Sequence, residues 1–420
     1  MDKSYIWHPF TPLVTETEPI FIDKGKGVYL YTKDGRKIID AVSSWWVNIH
    51  GHSNETIAKA IYEQAMKLEH VIFAGFTHEP AQTLSENLMT ILPKDFAKVF
   101  FSDNGSTSIE VALKMAFQYW YNLGKTNKTK IIAFDGAYHG DTFGAMSVGA
   151  RSGFTKPFFP FLFDVEYIDI PKASNFESVL VEFEKLINNP DTAGFIFEPL
   201  VQGAGGMRMY SAEHLNQMIT IAREAGVICI ADEVMTGFGR TGKIFASDHM
   251  PSDPDIMCIS KGITGGTLPL GITACNQKIV DVFESESLDK ALLHGHSYTG
   301  NPLTCAASNA SFGLLMDQNC KDARMMIEKK HRTFLSKITH HQRVRNARVT
   351  GTIFALDIFG FGETSYDNDI RKKVFPFFLE KGILLRPLGN VIYILPPFVI
   401  KENELDMVYN AIEEFLDQLS

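Results

Sequence analysis

The sequence predicts an α/β fold, with a mostly parallel central sheet in a large domain and a smaller α/β domain beside it. Two observations predict it. From about residue 98, short continuous apolar runs alternate with loops and helical patterns, as in Lys130-Ile131-Ile132-Ala133-Phe134 and Val227-Ile228-Cys229-Ile230-Ala231. Strands covered on both faces read this way, whereas half-exposed strands alternate. The chain also has 420 residues, 45% hydrophobic and 21% charged, which is globular in composition and too long for one small core.

Taken in order, residues 1 to about 50 read as a lead-in with short strands. Runs at 27–31 and 36–40 flank Thr32-Lys33-Asp34-Gly35, a hairpin turn signal. Helical patterns follow at 55–69 and 79–92. Strand-like runs then stand at 98–101, 130–134, 194–197, 227–231, 256–259 and 271–275, with helices at 107–122 and 212–225 in the gaps. A helix at 303–316 leads away from this core. Beyond residue 320 come another helix, strands near 349–357 and 383–395, and a closing helix at 403–418. Helices between those strands indicate the smaller α/β domain.

Composition excludes several classes. The net charge is −9, from 40 basic and 49 acidic residues, and no basic run stands out, so no nucleic-acid partner is expected. No apolar run approaches the roughly 18 residues of a membrane span, and the first residues form no secretory apolar stretch. Cys229, Cys258, Cys275, Cys305 and Cys320 form no CxxC pair, and three sit in apolar strand-like runs. That pattern fits a reducing cytoplasm without disulfides. His50-Gly51-His52 and His294-Gly295-His296 have no cysteine or carboxylate nearby in sequence, so no metal is expected. Gly203-Ala204-Gly205-Gly206 lacks the spacing of a dinucleotide fingerprint.

Glu198, Asp232 and Lys261 lie at or just beyond the ends of three strand runs, where parallel α/β sheets bind ligands. One such charge would merely cap a strand; three point to a site. Lysine and aspartate together suit pyridoxal phosphate chemistry. The lysine bonds to the cofactor aldehyde, and the carboxylate keeps the pyridine nitrogen protonated. Asp103-Asn104-Gly105-Ser106-Thr107-Ser108-Ile109-Glu110 opens a helix and reads as a phosphate cradle, with Gly105 allowing close approach and positive φ, and Thr107 with Glu110 at capping-box spacing. In Gly136-Ala137-Tyr138-His139-Gly140-Asp141, Tyr138 can stack on a ring. Trp45-Trp46, read as strand residues, would send one indole to a ligand and one to core. Arg386, in an apolar context, calls for a carboxylate partner, internal or on a substrate.

These motifs jointly resemble the class III, fold-type-I, pyridoxal-phosphate-dependent aminotransferases. The class signature is Ile230-Ala231-Asp232-Glu233-Val234, Thr236-Gly237-Phe238-Gly239-Arg240-Thr241-Gly242 and Ser260-Lys261-Gly262. Trp7-His8-Pro9-Phe10, Ser43-Ser44-Trp45-Trp46, Phe76-Thr77-His78-Glu79-Pro80-Ala81 and Val201-Gln202-Gly203-Ala204-Gly205-Gly206 are similar to the branch that aminates 8-amino-7-oxononanoate in biotin synthesis. The resemblance implies a large cofactor domain at 51–305 and a small domain at 306–420, which an N-terminal segment, 1–50, joins. It implies that Lys261 carries the cofactor and shuttles a proton, that Asp232 pairs with the ring nitrogen, and that Gly105 and Ser106 bind the phosphate. Tyr138 would stack on the ring. In a homodimer with shared active sites, Gly295, His296 and Ser297 would serve the neighbouring site. Phe10, Trp45, Tyr138, Lys261, Gly295 and Arg386 would meet substrate, with Arg386 taking a carboxylate. S-adenosylmethionine is the implied amino donor.

Two departures bear on that implication. Many members have tyrosine where Phe10 stands, and Ser297 stands where some have threonine. Lysine as donor, another ω-amino-acid or ornithine-type transaminase, and a catalytically dead binding protein of the same fold are the rival readings.

Overall fold

The computed structural model describes residues 5–14, 18–361 and 368–419. Seven strands form the central sheet, in the order Phe96–Ser102, Gly271–Asn276, Ile256–Ile259, Ile228–Asp232, Thr192–Phe197, Lys130–Phe134 and Val165–Ile168. From Ile256–Ile259 to Val165–Ile168 all pairings are parallel. Gly271–Asn276 runs antiparallel to both its neighbours. Two reversals restore direction, so Phe96–Ser102 ends on the same rim as the parallel strands.

The continuous apolar runs have a direct cause. Thr192–Phe197, Ile228–Asp232 and Gly271–Asn276 are buried at every position. Alternate residues enter two different cores. Phe195, Phe197, Cys229, Ala231 and Met257 join one, while Ile196, Ile228, Ile230, Ile256 and Cys258 join the other. Fully burying each phenylalanine or isoleucine contributes roughly 1.5–3 kcal/mol. The helix Gly105–Asn122 covers the second face through Ile109, Ala112, Ala116 and Trp120. The helices Phe176–Ile187 and Ala212–Glu224 cover the first through Val179, Phe183, Leu215 and Ile219.

Two differences from the sequence expectation have physical reasons. The run at 271–275 is antiparallel, and two-sided burial does not depend on strand direction. Val165–Ile168 escaped notice because it is a short edge strand, largely half-buried, with Glu166 facing Lys130 at 3.1 Å. The run near 349–357 folds as an antiparallel hairpin, Val344–Thr350 with Ile353–Ile358, extended by Val391–Ile394, and the expected helix before the 383–395 strands is Arg371–Glu380.

The predicted hairpin at the start forms, with Tyr29–Thr32 against Lys37–Asp40 and Gly35 at φ +88°. Its sheet is completed by Ile22–Lys26 and by Ile383–Leu384, which pairs in parallel with Lys37–Asp40. The chain's two ends are thereby joined in one sheet. Among the described residues, no helix is long and apolar enough to cross a membrane.

Candidate active site

A cavity of about 630 Å³ opens at the carboxyl rim of the central sheet, within the roughly 300–1,000 Å³ typical of small-molecule sites. Glu198, Asp232 and Lys261 follow three adjacent strands and all line it. Gly105, Ser106, Tyr138 and His139 line it too, and Thr267 to Leu270 close one side just before the antiparallel strand begins.

Lys261 starts a short 3-10 turn directly after the Ile256–Ile259 strand and Ser260, with φ at 45°. A non-glycine residue in this left-handed region costs about 1–2 kcal/mol. Ser260 Oγ anchors the turn by donating to Leu270 O at 2.6 Å. Lys261 Nζ lies 5.2 Å from the ring centre of Trp46. Burial lowers the lysine's pKa; Asp232 and Glu198 oppose that, and Arg240 adds to it. The net effect favours the free amine, the form that attacks a carbonyl.

Asp232 is held rigidly. Its Oδ1 accepts from the Val234 N–H at 3.0 Å and its Oδ2 meets His139 Nδ1 at 2.7 Å. His139 is buried and its Nε2 has no partner among the described residues. Glu198 accepts from the N–H groups of Tyr138 at 3.0 Å and Gly203 at 2.8 Å. Burial, reinforced by Asp232, pushes its pKa up to about 7, against the pull of His139 and of those two N–H groups. Burial likewise raises the phenol of Tyr138, helped by Asp141.

The cradle differs in detail from expectation. Asn104 caps the helix, and the capping box joins Asn104 with Thr107, not Thr107 with Glu110. Glu110 instead accepts from Thr142 Oγ1 and the Ala145 N–H. Gly105 does not have positive φ; it is needed because a Cβ would stand 2.7 Å from Val234 Cγ1. Gly140 has φ +132°, and its Cβ would stand 2.1 Å from Ser106 Oγ. The Asp141 N–H donates to that hydroxyl at 3.1 Å. The first N–H groups of the helix have no partner within it and favour an anion.

The two tryptophans separate, but not by strand alternation. Ser43–Trp46 is a kinked helical turn with φ of 52°, 61° and 68° at Ser43, Ser44 and Trp46. Trp46 is buried, lines the cavity and donates through Nε1 to Tyr393 Oη at 3.0 Å. Trp45 is 42% exposed and belongs to an outer cluster with Phe10, whose ring centre is 5.9 Å away, and Arg386, at 5.4 Å. Arg386 is exposed and forms no ion pair with another described residue. Gly295, His296 and Ser297 stand apart from this cavity. Gly295 and Ser297 are exposed; His296 Nδ1 accepts from the Tyr298 N–H at 3.2 Å, and its Nε2 is buried with no partner among the described residues. Sequence reasoning passed over His139, although it stands in the Tyr138 loop beyond a strand end.

Residues 13–416 match the family Aminotransferase class-III. The chain belongs to the class III aminotransferases. It is 47% identical to the adenosylmethionine-8-amino-7-oxononanoate aminotransferase of Synechococcus elongatus, covering 99% of each chain. The enzyme of that name from Buchnera aphidicola of Schizaphis graminum is 38% identical over 99% of this chain and 96% of its own. Among solved structures, the Methanocaldococcus jannaschii enzyme of that name has a TM-score of 0.89 at 35% identity, covering 98% of this chain and 97% of its own. An amine transaminase from an uncultivated Pseudomonas species, in a PLP-bound form, has a TM-score of 0.93 at 28% identity, covering 100% and 99%.

A class III aminotransferase takes pyridoxal phosphate as its cofactor. The cavity suits it on its own geometry. An amine and a carboxylate on neighbouring strand ends share one cavity, and free helix N–H groups meet glycines whose Cβ atoms would fill the cradle.

Proposed function

We propose that this chain transfers an amino group from S-adenosylmethionine to 8-amino-7-oxononanoate, forming 7,8-diaminononanoate in biotin synthesis. The observation that carries this reading is the 47% identity over 99% of both chains to a relative of that name. When bound, pyridoxal phosphate supplies an electron sink conjugated to the reacting carbon. Lys261 would hold the cofactor, and its depressed pKa supports a base role in moving a proton at Nζ. Asp232 holds the proton on the ring nitrogen, and the 2.7 Å contact with His139 fixes that carboxylate. The Gly105 and Ser106 N–H groups and the Ser106 hydroxyl bind the phosphate. Tyr138 packs against the ring.

Arg386 takes the substrate carboxylate, supported by its exposure and its place beside Trp45 at the outer cluster. Trp45 and Phe10 form the apolar wall beside it. A second copy of the chain supplies Gly295, His296 and Ser297 to this cavity, making a homodimer with shared sites. Leu288, Leu293 and Tyr298 support this as exposed apolar residues around that segment.

The test is a half-reaction. The yellow, cofactor-loaded protein is mixed separately with S-adenosylmethionine and with lysine, and the loss of visible absorbance is followed. S-adenosylmethionine should bleach it, and 8-amino-7-oxononanoate should restore the colour. Bleaching by lysine alone would change the donor. Reaction only with ω-amino acids and pyruvate would make the protein an ω-amino-acid transaminase.

A further inference from the structure

The chain from 284 to 301 joins the helix Gln277–Phe283 to the helix Pro302–Met316, and its regular structure is limited to the 3-10 turn Leu288–Lys290. A stretch with so little internal hydrogen bonding keeps one place only if something outside it supplies partners. The helix Gly105–Asn122 supplies them. Lys114, Gln118 and Asn122 stand four residues apart on it, the spacing that stacks side chains along one face. Lys114 Nζ donates to Leu293 O at 2.5 Å and lies 3.3 Å from His294 Nδ1. Gln118 Nε2 donates to Ala291 O at 2.6 Å, and its Oε1 accepts from the Leu293 N–H at 3.3 Å. Asn122 Nδ2 donates to Lys290 O at 3.1 Å. Leu292 packs against the second core, and this polar ladder sets where along the helix it does so.

The far side of the stretch is anchored too. His78 Nε2 bonds Gly300 O at 2.6 Å, and Asn301 Nδ2 donates to Glu69 O at 3.1 Å. Between the two anchors lies a tip, residues 295–297. Gly295 and Ser297 are exposed there, and Thr299 Oγ1 holds His296, accepting from its N–H at 3.2 Å and donating to its carbonyl at 2.9 Å. Fixing an exposed tip from both sides costs conformational entropy. The tip lines no part of the chain's own cavity, so what it is fixed for lies outside this chain. The same helix opens at Gly105 and Ser106 in the cradle. Glu110, four residues before Lys114, holds the loop after Asp141 by accepting from Thr142 Oγ1 and the Ala145 N–H. One helix therefore fixes the chain's own cradle and, about 12–24 Å further along, the stretch that carries the tip.

We propose that Lys114, Gln118 and Asn122 are positioning residues that act in trans: by gripping main-chain groups at 290–293 they hold the 295–297 tip where it completes the phosphate cradle of a second copy. The proposal rests on the reading that a second copy supplies this tip. What the tip brings is the Ser297 hydroxyl, a donor for an anion. The ladder bonds to carbonyls and an N–H, so it fixes the path of the chain whatever side chains stand at 290–293. Each helix then serves two sites, its own through Gly105, Ser106 and Glu110, and the partner subunit's through the ladder.

The test follows the release of cofactor on dilution of the loaded protein, read as loss of the lysine-bonded yellow colour, with sedimentation and melting temperature as controls. Gln118→Ala removes two bonds of the ladder, and release should be about tenfold faster. The deciding sample is a mixed dimer of Gln118→Ala with Lys261→Ala, purified through two different tags. Its yellow colour reports one site, whose own helix carries Gln118→Ala and whose tip comes from the intact ladder of the other chain. Release from that site should return to the wild-type rate. Release as fast as from the Gln118→Ala homodimer places the effect in the helix's own cradle and overturns the proposal, as does wild-type release from that homodimer. Should Gln118→Ala fail to fold, Lys114→Met keeps the aliphatic stem, loses the bond to Leu293 O and takes its place with the same outcomes. Ser297→Ala separates the underlying reading. Wild-type release from Ser297→Ala means that the tip serves no cradle, whereas fast release from it beside wild-type release from Gln118→Ala overturns the role of the ladder alone.

Discussion

Asp232→Asn isolates the carboxylate's charge from its shape. The amide oxygen can keep the bond from the Val234 N–H, now 3.0 Å, so the turn after the strand should survive. The other oxygen is replaced by the amide NH2, a donor facing His139 Nδ1 across what is now 2.7 Å. The imidazole must shift its proton to Nε2 to accept there. A charge-assisted bond worth about 1.5–3 kcal/mol becomes a neutral one of about 1 kcal/mol. The larger loss is felt by the cofactor. A carboxylate about 4 Å from a cationic ring nitrogen interacts by about 4 kcal/mol at an effective dielectric near 20, or roughly three pKa units. Near neutral pH the ring then loses its proton, and the donor half-reaction should slow by about a thousandfold. Stopped-flow absorbance with S-adenosylmethionine under single-turnover conditions measures that rate, and a dialysis control confirms that cofactor is retained. A variant that keeps its cofactor and reacts within about tenfold of wild type would refute the assignment of Asp232 as the ring's counter-charge.

Three further outcomes are expected. Arg386→Ala should raise KM for 8-amino-7-oxononanoate roughly 10- to 100-fold, the worth of a charge-assisted bond, while the melting temperature moves little, because the side chain is exposed and its contact with Trp45 contributes about 0.5–1 kcal/mol; an unchanged KM removes Arg386 from the substrate site. Gly140→Ala drives a methyl group to 2.1 Å from Ser106 Oγ at φ +132°, so cofactor retention on dilution should fall about tenfold or more, and full retention would mean that Ser106 plays no part in the cradle. Glu233 is buried, and burial pushes its pKa from 4.5 up to about 7 despite donors from Thr236, Ala246 and Ser247; the folded protein therefore holds a proton there that the unfolded chain has released, so stability should fall as pH rises from about 4.5 to 7, by about 3 kcal/mol, and Glu233→Gln should lose that slope in urea titrations at the two ends of the window.

The sequence revealed those parts of the site that depend on strand ends. A buried parallel strand must be apolar until it leaves the core, so the first charge after it marks the rim. Asp232 and Lys261 are legible for that reason, and Glu198 with them. The helix start at Gly105 was also legible, but its cap was assigned one turn too late, because threonine with glutamate and asparagine with threonine satisfy the same spacing. The tryptophan pair failed for a sharper reason. Alternation holds only where the backbone is extended, and Ser43 to Trp46 turn through positive φ that no composition rule gives to serine or tryptophan. What forces that turn is scattered through the chain: Asp40, Tyr393, Leu395 and Arg240. A strained turn built from distant partners leaves no local pattern. Local periodicity thus identifies the groups that act, whereas the groups that aim them emerge only from tertiary contacts.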